Sequence, residues 1–422
     1  MQPSRGTKDI LPNEIILWQT IYDKVKNILT LSDYKEIRTP IFENTEIFKR
    51  SIGSDTDIIN KEMYSFKDRG GRDITLRPEG TASVIRAFLS NKLYASNEIH
   101  RMWYLGPMFR YERPQAGRQR QFHQLGVECI GSYNSLADAE VIRLAEKILN
   151  ELNCINYTIE INCIGNQKER DVYKKKLTEY LLKYEQDLNE ESKRRIKTNP
   201  LRILDSKDQK VQEILTNAPQ IASHLELDSL QHFNELREHL NNSNIKYTIN
   251  KNLIRGLDYY NCTAFEIKTD SEYQQNAICG GGRYDQLIQQ LGGPNIPSVG
   301  WAIGIERLIK EIKKTFVVNN NKNIIYLANY GTKARKEIWK IINILEQEKI
   351  AFHLDLSNNN FQKQLKKAHK IGAKLCILLG NNEIENNILT IKNMDTGEQT
   401  QISCDNIYNY FKSIKKSLHL TN

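Results

Sequence analysis

Residues 102–130 constrain this chain more than any other stretch. An apolar and aromatic run from Met102 to Phe109 gives way to charges, Pro114 and Gly117, and a second strand-like run extends from Phe122 to Ile130. The pattern predicts strand, long loop, strand: a hairpin whose loop exceeds the usual few residues. Loops of that length are uncommon in compact domains and are often functional. Arginine is dense here, at Arg110, Arg113, Arg118 and Arg120. A guanidinium fork matches phosphate oxygens in a way that a lysine point charge does not. On the returning strand Gln124 and Glu128 stand four apart, so they share a face and can point into one pocket. A basic, solvated hairpin tip accounts for the same arginines, and the stretch alone leaves both readings open.

At 422 residues the chain is too long for one ordinary core and predicts two or three domains. A hydrophobic fraction of 39% with 26% charged residues fits a globular protein and excludes a disordered one. The net charge is +9, and residues 322–422, with 15 Lys and Arg against 9 Asp and Glu, supply +6 of it. The excess, pointing to a polyanionic partner, therefore lies at the C-terminal end. Seven irregularly spaced cysteines with no C-x-x-C pair predict free thiols in a reducing compartment, and neither a zinc site nor a disulfide framework. No run is long and apolar enough to span a bilayer. The start of the chain looks like neither a signal nor a transit peptide.

Periodicity predicts a helix over Ile15 to Leu31, a strand over Tyr34 to Phe42 broken by Pro40, and short strands at Met63 to Phe66 and Asp73 to Leu76. Glu79-Gly80-Thr81, after Pro78, opens a helix to about Leu89, and Ser135 to Leu152 forms another. Tyr157 to Ile164 alternates like a strand. From Gly165 to about Asn244, lysine and glutamate dominate, glycine vanishes, and the charges balance at 14 basic and 14 acidic. This block reads as a helical insertion or as a plain solvated spacer. Strands follow at Tyr247 to Ile249, Thr263 to Ile267 and Ser298 to Ile303, with helices opening at about Gln286 and over Gly304 to Lys314. In the tail, strands at Ile324 to Leu327, Ala351 to Leu354 and Leu375 to Leu379 alternate with helices Lys333 to Gln347 and Phe361 to Ile371. That alternation predicts a largely parallel α/β layer, joined through the Asn-rich segment Asn319 to Lys322.

No G-x-G-x-x-G follows a strand, and neither G-x-x-x-x-G-K-[ST] nor G-x-S-x-G occurs. Phosphate handling would rest on side chains, with Arg110, Arg118, Arg255 and Arg307 as candidates. Arg307, just inside a predicted helix, can meet an anion there or form a surface ion pair with Glu306 or Glu311.

Taken together, these segments resemble the histidyl-tRNA synthetases of bacterial and organellar type, which are class II aminoacyl-tRNA synthetases. Arg5-Gly6-Thr7-Lys8-Asp9 resembles the family's opening segment and Arg38-Thr39-Pro40 its first motif, associated with dimer contacts. The long hairpin is similar to the second motif and Gly300 to Arg307 to the third. Arg255 to Asn261 and Gly280 to Asp285 resemble segments specific to the histidine enzyme. The similarity covers nearly the whole chain and is weakest from Lys168 to Asn244. The implied fold is an α+β catalytic domain with an antiparallel sheet over 1–320, interrupted by a helical insertion at 166–244, and an α/β anticodon-binding domain over 321–422.

The resemblance implies roles as well. Arg110 and Arg255 would act catalytically at the ATP α-phosphate, Arg307 would hold the γ-phosphate, and Arg118 would join them in binding ATP. Glu79 and Thr81 would take the histidine ammonium, and Gln124 would orient the amino acid. Glu128 and Tyr260 would bind the imidazole, with Tyr259 and Tyr284 lining the pocket. Arg113 and Gln115 would face the acceptor end of the tRNA. His123, adjacent to Gln124, invites a catalytic reading, but its strand neighbours favour a packed or hydrogen-bonded histidine. Cys262 and Asn358 to Asn360 depart from the family pattern, away from the proposed catalytic positions.

The expected reaction is ATP-dependent activation of L-histidine and its transfer to tRNA(His), with Mg²⁺ accompanying ATP and no dedicated protein metal site. A homodimer without membrane attachment is implied, in a bacterial cytoplasm or an organelle stroma such as a plastid. Two rivals are a regulatory paralogue of histidine biosynthesis and a non-catalytic RNA-binding relative. The intact Arg255 to Tyr260 segment and the basic tail count against the first, and Glu79, Arg110, Arg255 and Arg307 against the second.

Overall fold

The computed structural model describes residues 1–422 apart from 54–55, 57, 113–117, 205, 207, 271–276, 314, 317–323 and 418–422. The chain forms two compact units, Met1–Val318 and Asn319–Asn422. The strands of the first are β1 (Lys35–Glu36), β2 (Phe42–Asn44), β3 (Tyr64–Lys67), β4 (Asp73–Leu76), β5 (His100–Phe109), β6 (Gln121–Ile130), β7 (Tyr157–Gly165), β8 (Thr248–Ile249), β9 (Asn261–Thr269), β10 (Ala277–Arg283) and β11 (Ser298–Gly304). Among the described residues, eight of them form one sheet in the order β1-β5-β6-β11-β10-β9-β7-β8. Pairing is antiparallel from β5 through to β7, and the two-residue edge strands β1 and β8 pair in parallel. β2, β4 and β3 form a small antiparallel sheet beside it.

The long sheet has two chemically different faces because its strands alternate with period two. Trp103, Leu125, Val127, Phe265, Ile267, Val299, Trp301 and Ile303 project to one side, where helices Pro12–Leu31, Ser135–Glu151, Leu227–Asn242 and Ile305–Ile312 bury them. Gln124, Gly126 and Glu128 of β6, Gly300 and Ala302 of β11, and Glu266 and Lys268 of β9 fall on the other. Asn134 caps helix Ser135–Glu151 by accepting from the Leu136 amide at 2.8 Å.

The lysine- and glutamate-rich block packs in two places. Helices Gln167–Leu182, Glu190–Thr198 and Gln209–Leu215 bury Tyr173, Leu177, Leu181 and Val211 in the core cluster that also holds Tyr104, Tyr260 and Tyr284. Helix Leu227–Asn242 sends Leu236 and Leu240 into the core on the opposite face.

Two expectations need correction, and one strand is unanticipated. The predicted strand Tyr34 to Phe42 reduces to β1 and β2. The helix expected at about Gln286 does open there, as the short turn Leu287–Gln290, but Gly280–Gly282 ahead of it lies within the unanticipated β10. A Cβ on Gly281 would run into the Gly300 carbonyl, so close strand packing, not strand propensity, selects glycine there. In the second unit, β12 (Ile325–Asn329), β13 (Phe352–Leu354) and β14 (Leu375–Leu379) are parallel as expected, but β15 (Ile388–Asn393) and β16 (Gln399–Ser403) extend the sheet antiparallel. Helices Thr332–Gln347 and Phe361–Lys370 lie near their expected bounds.

Candidate active site

The mixed face of the sheet meets the start of helix Thr81–Ser90 at Glu79. Both Glu79 carboxylate oxygens accept backbone amides, from Thr81 at 2.7 Å and Ala82 at 2.8 Å, which satisfies two donors at the positive helix end. Burial pushes the Glu79 carboxyl up from its ordinary value, against the pull of those amides and of the Arg110 charge.

Next to it lies Glu128, fully buried on β6. Thr81 Oγ1 donates to its Oε1 at 2.8 Å and the Tyr284 hydroxyl donates to its Oε2. Burial pushes the Glu128 carboxyl up to about 8; the two hydroxyls oppose the rise and the Glu79 charge adds to it. Three phenol rings surround the pair: Tyr259 stands 4.6 Å from Tyr260 and 5.7 Å from Tyr284, centroid to centroid. Tyr104 packs where a Cβ on Gly80 or Gly126 would collide with its ring.

The cations lie on the other side of the same hollow. A cavity of about 580 Å³ is lined by Arg110, Arg118, Arg255 and Arg307, and also by Glu79, Thr81, Gln124, Tyr259 and Tyr260. Glu128 and Tyr284 are not among the lining residues; Glu128 is joined to the lining through Thr81, and Tyr284 through Glu128 and its ring contact with Tyr259. Arg110 donates Nε to the Pro78 carbonyl at 2.8 Å and stacks over Phe122, 5.2 Å from the ring centre. Arg118 pairs with Glu112 at 2.9 Å. Arg255 pairs with Glu266 at 2.7 Å, its guanidinium over the space a Gly280 side chain would fill. Arg307 donates to the Ala277 carbonyl. Burial, and then the charges of Arg118 and Arg110, push its guanidinium below its ordinary value. Such crowding of like charges is relieved by a polyanion.

Gln124 Oε1 and Arg255 Nε are buried without a hydrogen-bond partner among the described residues. Buried polar atoms are rarely left so, and both of these belong to residues lining the cavity. Glu306 is engaged by His123, whose amide and Nδ1 lie 2.9 and 2.8 Å from its carboxylate. His123 also packs edge-on against Trp18 at 4.8 Å, so it is a packed, hydrogen-bonded residue. Arg113 and Gln115 lie outside the described residues. Glu112, Glu266 and Lys268 also line the cavity and escape a reading of the sequence. On β9 the alternation of Ala264, Glu266 and Lys268 against Phe265 and Ile267 looks like an ordinary solvent face. Among the described residues no group of three or more His, Cys, Asp or Glu could hold a metal ion.

An antiparallel sheet whose hollow is walled by hairpin arginines, with no glycine-rich turn against it among the described residues, fits the class II aminoacyl-tRNA synthetase fold. The family model described as histidyl-tRNA synthetase matches residues 6–308, and one described as an anticodon binding domain matches 314–414. The chain is 60% identical to the chloroplastic histidine–tRNA ligase of Gracilaria tenuistipitata var. liui, over 99% of both chains. It is 49% identical to the histidine–tRNA ligase of a Cyanothece strain, over 96% of this chain and 94% of that one. Apo S. aureus histidyl-tRNA synthetase superimposes with a TM-score of 0.82 at 35% identity, covering 98% of this chain and all (100%) of the other. The chain belongs to the histidyl-tRNA synthetase family.

Proposed function

We propose that this chain is a histidine–tRNA ligase, joining L-histidine to ATP as histidyl-adenylate and then transferring it to the 3′ end of tRNA(His). The observation that carries the reading is the meeting, in one cavity, of four arginines with the Glu79, Thr81 and tyrosine wall.

The amino-acid ammonium lies against Glu79 and Thr81, with Gln124 orienting the main-chain polar groups. The imidazole enters toward Glu128 and Tyr260, between the rings of Tyr259 and Tyr284. That places the amino-acid carboxylate toward the arginines, facing the α-phosphorus of ATP. Arg110 and Arg255 hold the α-phosphate as negative charge develops on it, and Arg307 and Arg118 hold the outer phosphates. Attack by the carboxylate forms the acyl–phosphate bond and releases pyrophosphate; attack by the tRNA hydroxyl on the acyl carbon then releases AMP. Mg²⁺ would enter with the triphosphate and neutralise part of its charge.

Arg113 and Gln115 would face the tRNA acceptor end, and the basic second unit would bind the anticodon region, its charge supplying backbone affinity. A homodimer, in a plastid stroma or bacterial cytoplasm, completes the reading.

Histidine-dependent exchange of labelled pyrophosphate into ATP tests the proposal, and its absence from the purified chain overturns it. Deleting Asn323–Asn422 is expected to spare this exchange more than tRNA charging. Equal loss of both from a folded truncation would contradict the division of labour. Gly280→Ala is expected to push the Arg255 guanidinium aside while the fold survives, because the colliding atoms end a flexible side chain. Exchange should fall about a hundredfold, the cost of roughly 1 Å of misplacement; a rate near that of the unaltered chain refutes the close fit.

A further inference from the structure

The segment from Arg255 to Tyr260 forms neither helix nor strand, so its backbone carbonyls need partners from elsewhere. It nevertheless supplies Arg255, Tyr259 and Tyr260 to the cavity. The lysine- and glutamate-rich block grips it from behind. Arg170, only 8% exposed, donates Nη1 to the Tyr260 carbonyl and Nη2 to Gln167 at 2.7 Å. Arg202 donates to the Gly256 carbonyl at 2.8 Å, with the Asp258 carboxylate 3.7 Å away. Asn199 donates to that carboxylate at 3.0 Å. Both ends and the middle of the loop are therefore tied to helical residues remote in sequence. A second cavity of about 220 Å³ lies along this seam, lined by Arg170, Asn199, Arg202 and Asp258 together with Leu201, Ile221 and Leu257, so the polar ties act beside apolar packing. A buried arginine is costly, the more so here because Arg170 Nε has no hydrogen-bond partner among the described residues, and a solvated spacer has no need of one.

We propose that Arg170 and Arg202 are positioning residues for amino-acid activation. Acting through the loop, they set Tyr259 and Tyr260 against the amino acid and Arg255 against the phosphate. The helical block is then the outer half of the histidine site. This inference rests on the ligase reading above and deepens it.

Arg202→Met keeps the length and apolar stem of the side chain but removes its donors, and Arg202→Lys retains one charged donor. In histidine-dependent pyrophosphate exchange, Arg202→Met should raise KM for histidine about tenfold, the factor carried by one hydrogen bond involving a charged group. Its thermal midpoint should fall by no more than a few degrees, the loss of about one hydrogen bond, and Arg202→Lys should recover part of the loss in KM. Arg170→Gln should raise the same KM. An unchanged histidine KM in folded Arg202→Met overturns the inference while leaving the ligase reading intact. A fall in kcat that merely tracks the folded fraction, with KM constant, overturns it as well. Only loss of exchange in the unaltered chain would instead overturn the ligase reading.

Discussion

Arg255→Ala is expected to cut histidine-dependent pyrophosphate exchange by at least about a hundredfold, the usual loss when a group stabilising transition-state charge is removed. Three observations support the size of the effect. The guanidinium lines the cavity, it is fixed by Glu266 at 2.7 Å, and its Nε is buried without a partner among the described residues. Charge alone does not replace the fork, so Arg255→Lys should restore little. Lys268 stays 3.5 Å from Glu266, so the carboxylate keeps a cation and the loss reports chemistry and not unfolding. Exchange within a factor of about ten of the original rate would remove Arg255 from the α-phosphate.

The second large effect is expected at Glu128. A neutral imidazole offers one donor and one acceptor, so its site must present the complement of both. Glu128 already accepts hydroxyls from Thr81 and Tyr284, leaving its remaining lone pairs for the ring N–H. Glu128→Gln turns an amide toward one of those hydroxyls and should lower kcat/KM for histidine about a hundredfold, with KM for ATP unchanged. The pH profile separates charge from shape. The free-protein carboxyl sits at about 8, so below that pH it is protonated and is a weaker acceptor. As pH rises through that value the group ionises, and kcat/KM for histidine should climb, because this ratio reports groups on the free enzyme. The climb should be absent from Glu128→Gln. Identical profiles for the two proteins would remove Glu128 from the imidazole.

Much of the architecture is legible in the sequence. The hairpin arms announce themselves through long apolar runs, and the helices Ser135–Glu151 and Thr332–Gln347 through periodicity. Less visible is β10, because three consecutive glycines contradict strand propensity and are chosen by three different neighbours, the Arg255 guanidinium, the Gly300 carbonyl and the Thr263 carbonyl. The antiparallel β15 and β16 were also lost, since alternation in the tail suggests only the parallel part. At the site, Arg110 and Arg118 stand out locally, but Arg255 and Arg307 are joined to them only by sheet pairing across β6, β11, β10 and β9. Glu266, Lys268 and the loop ties from Arg170 and Arg202 are illegible in principle: each looks like a solvated charge until the opposing element is in place.

Beneath Tyr104, Arg255 and Glu128 the sheet carries only the glycines Gly126, Gly280 and Gly300, and that floor has an evolutionary consequence. A recognition pocket usually drifts toward a larger substrate by trimming a side chain, and here there is nothing to trim. Any exchange on the floor adds bulk that strikes Tyr104, Arg255 or Glu128. Selection for another amino acid is confined to the walls, where each candidate also takes part in catalysis or in bonding its neighbours, so a change of diet would require several simultaneous steps.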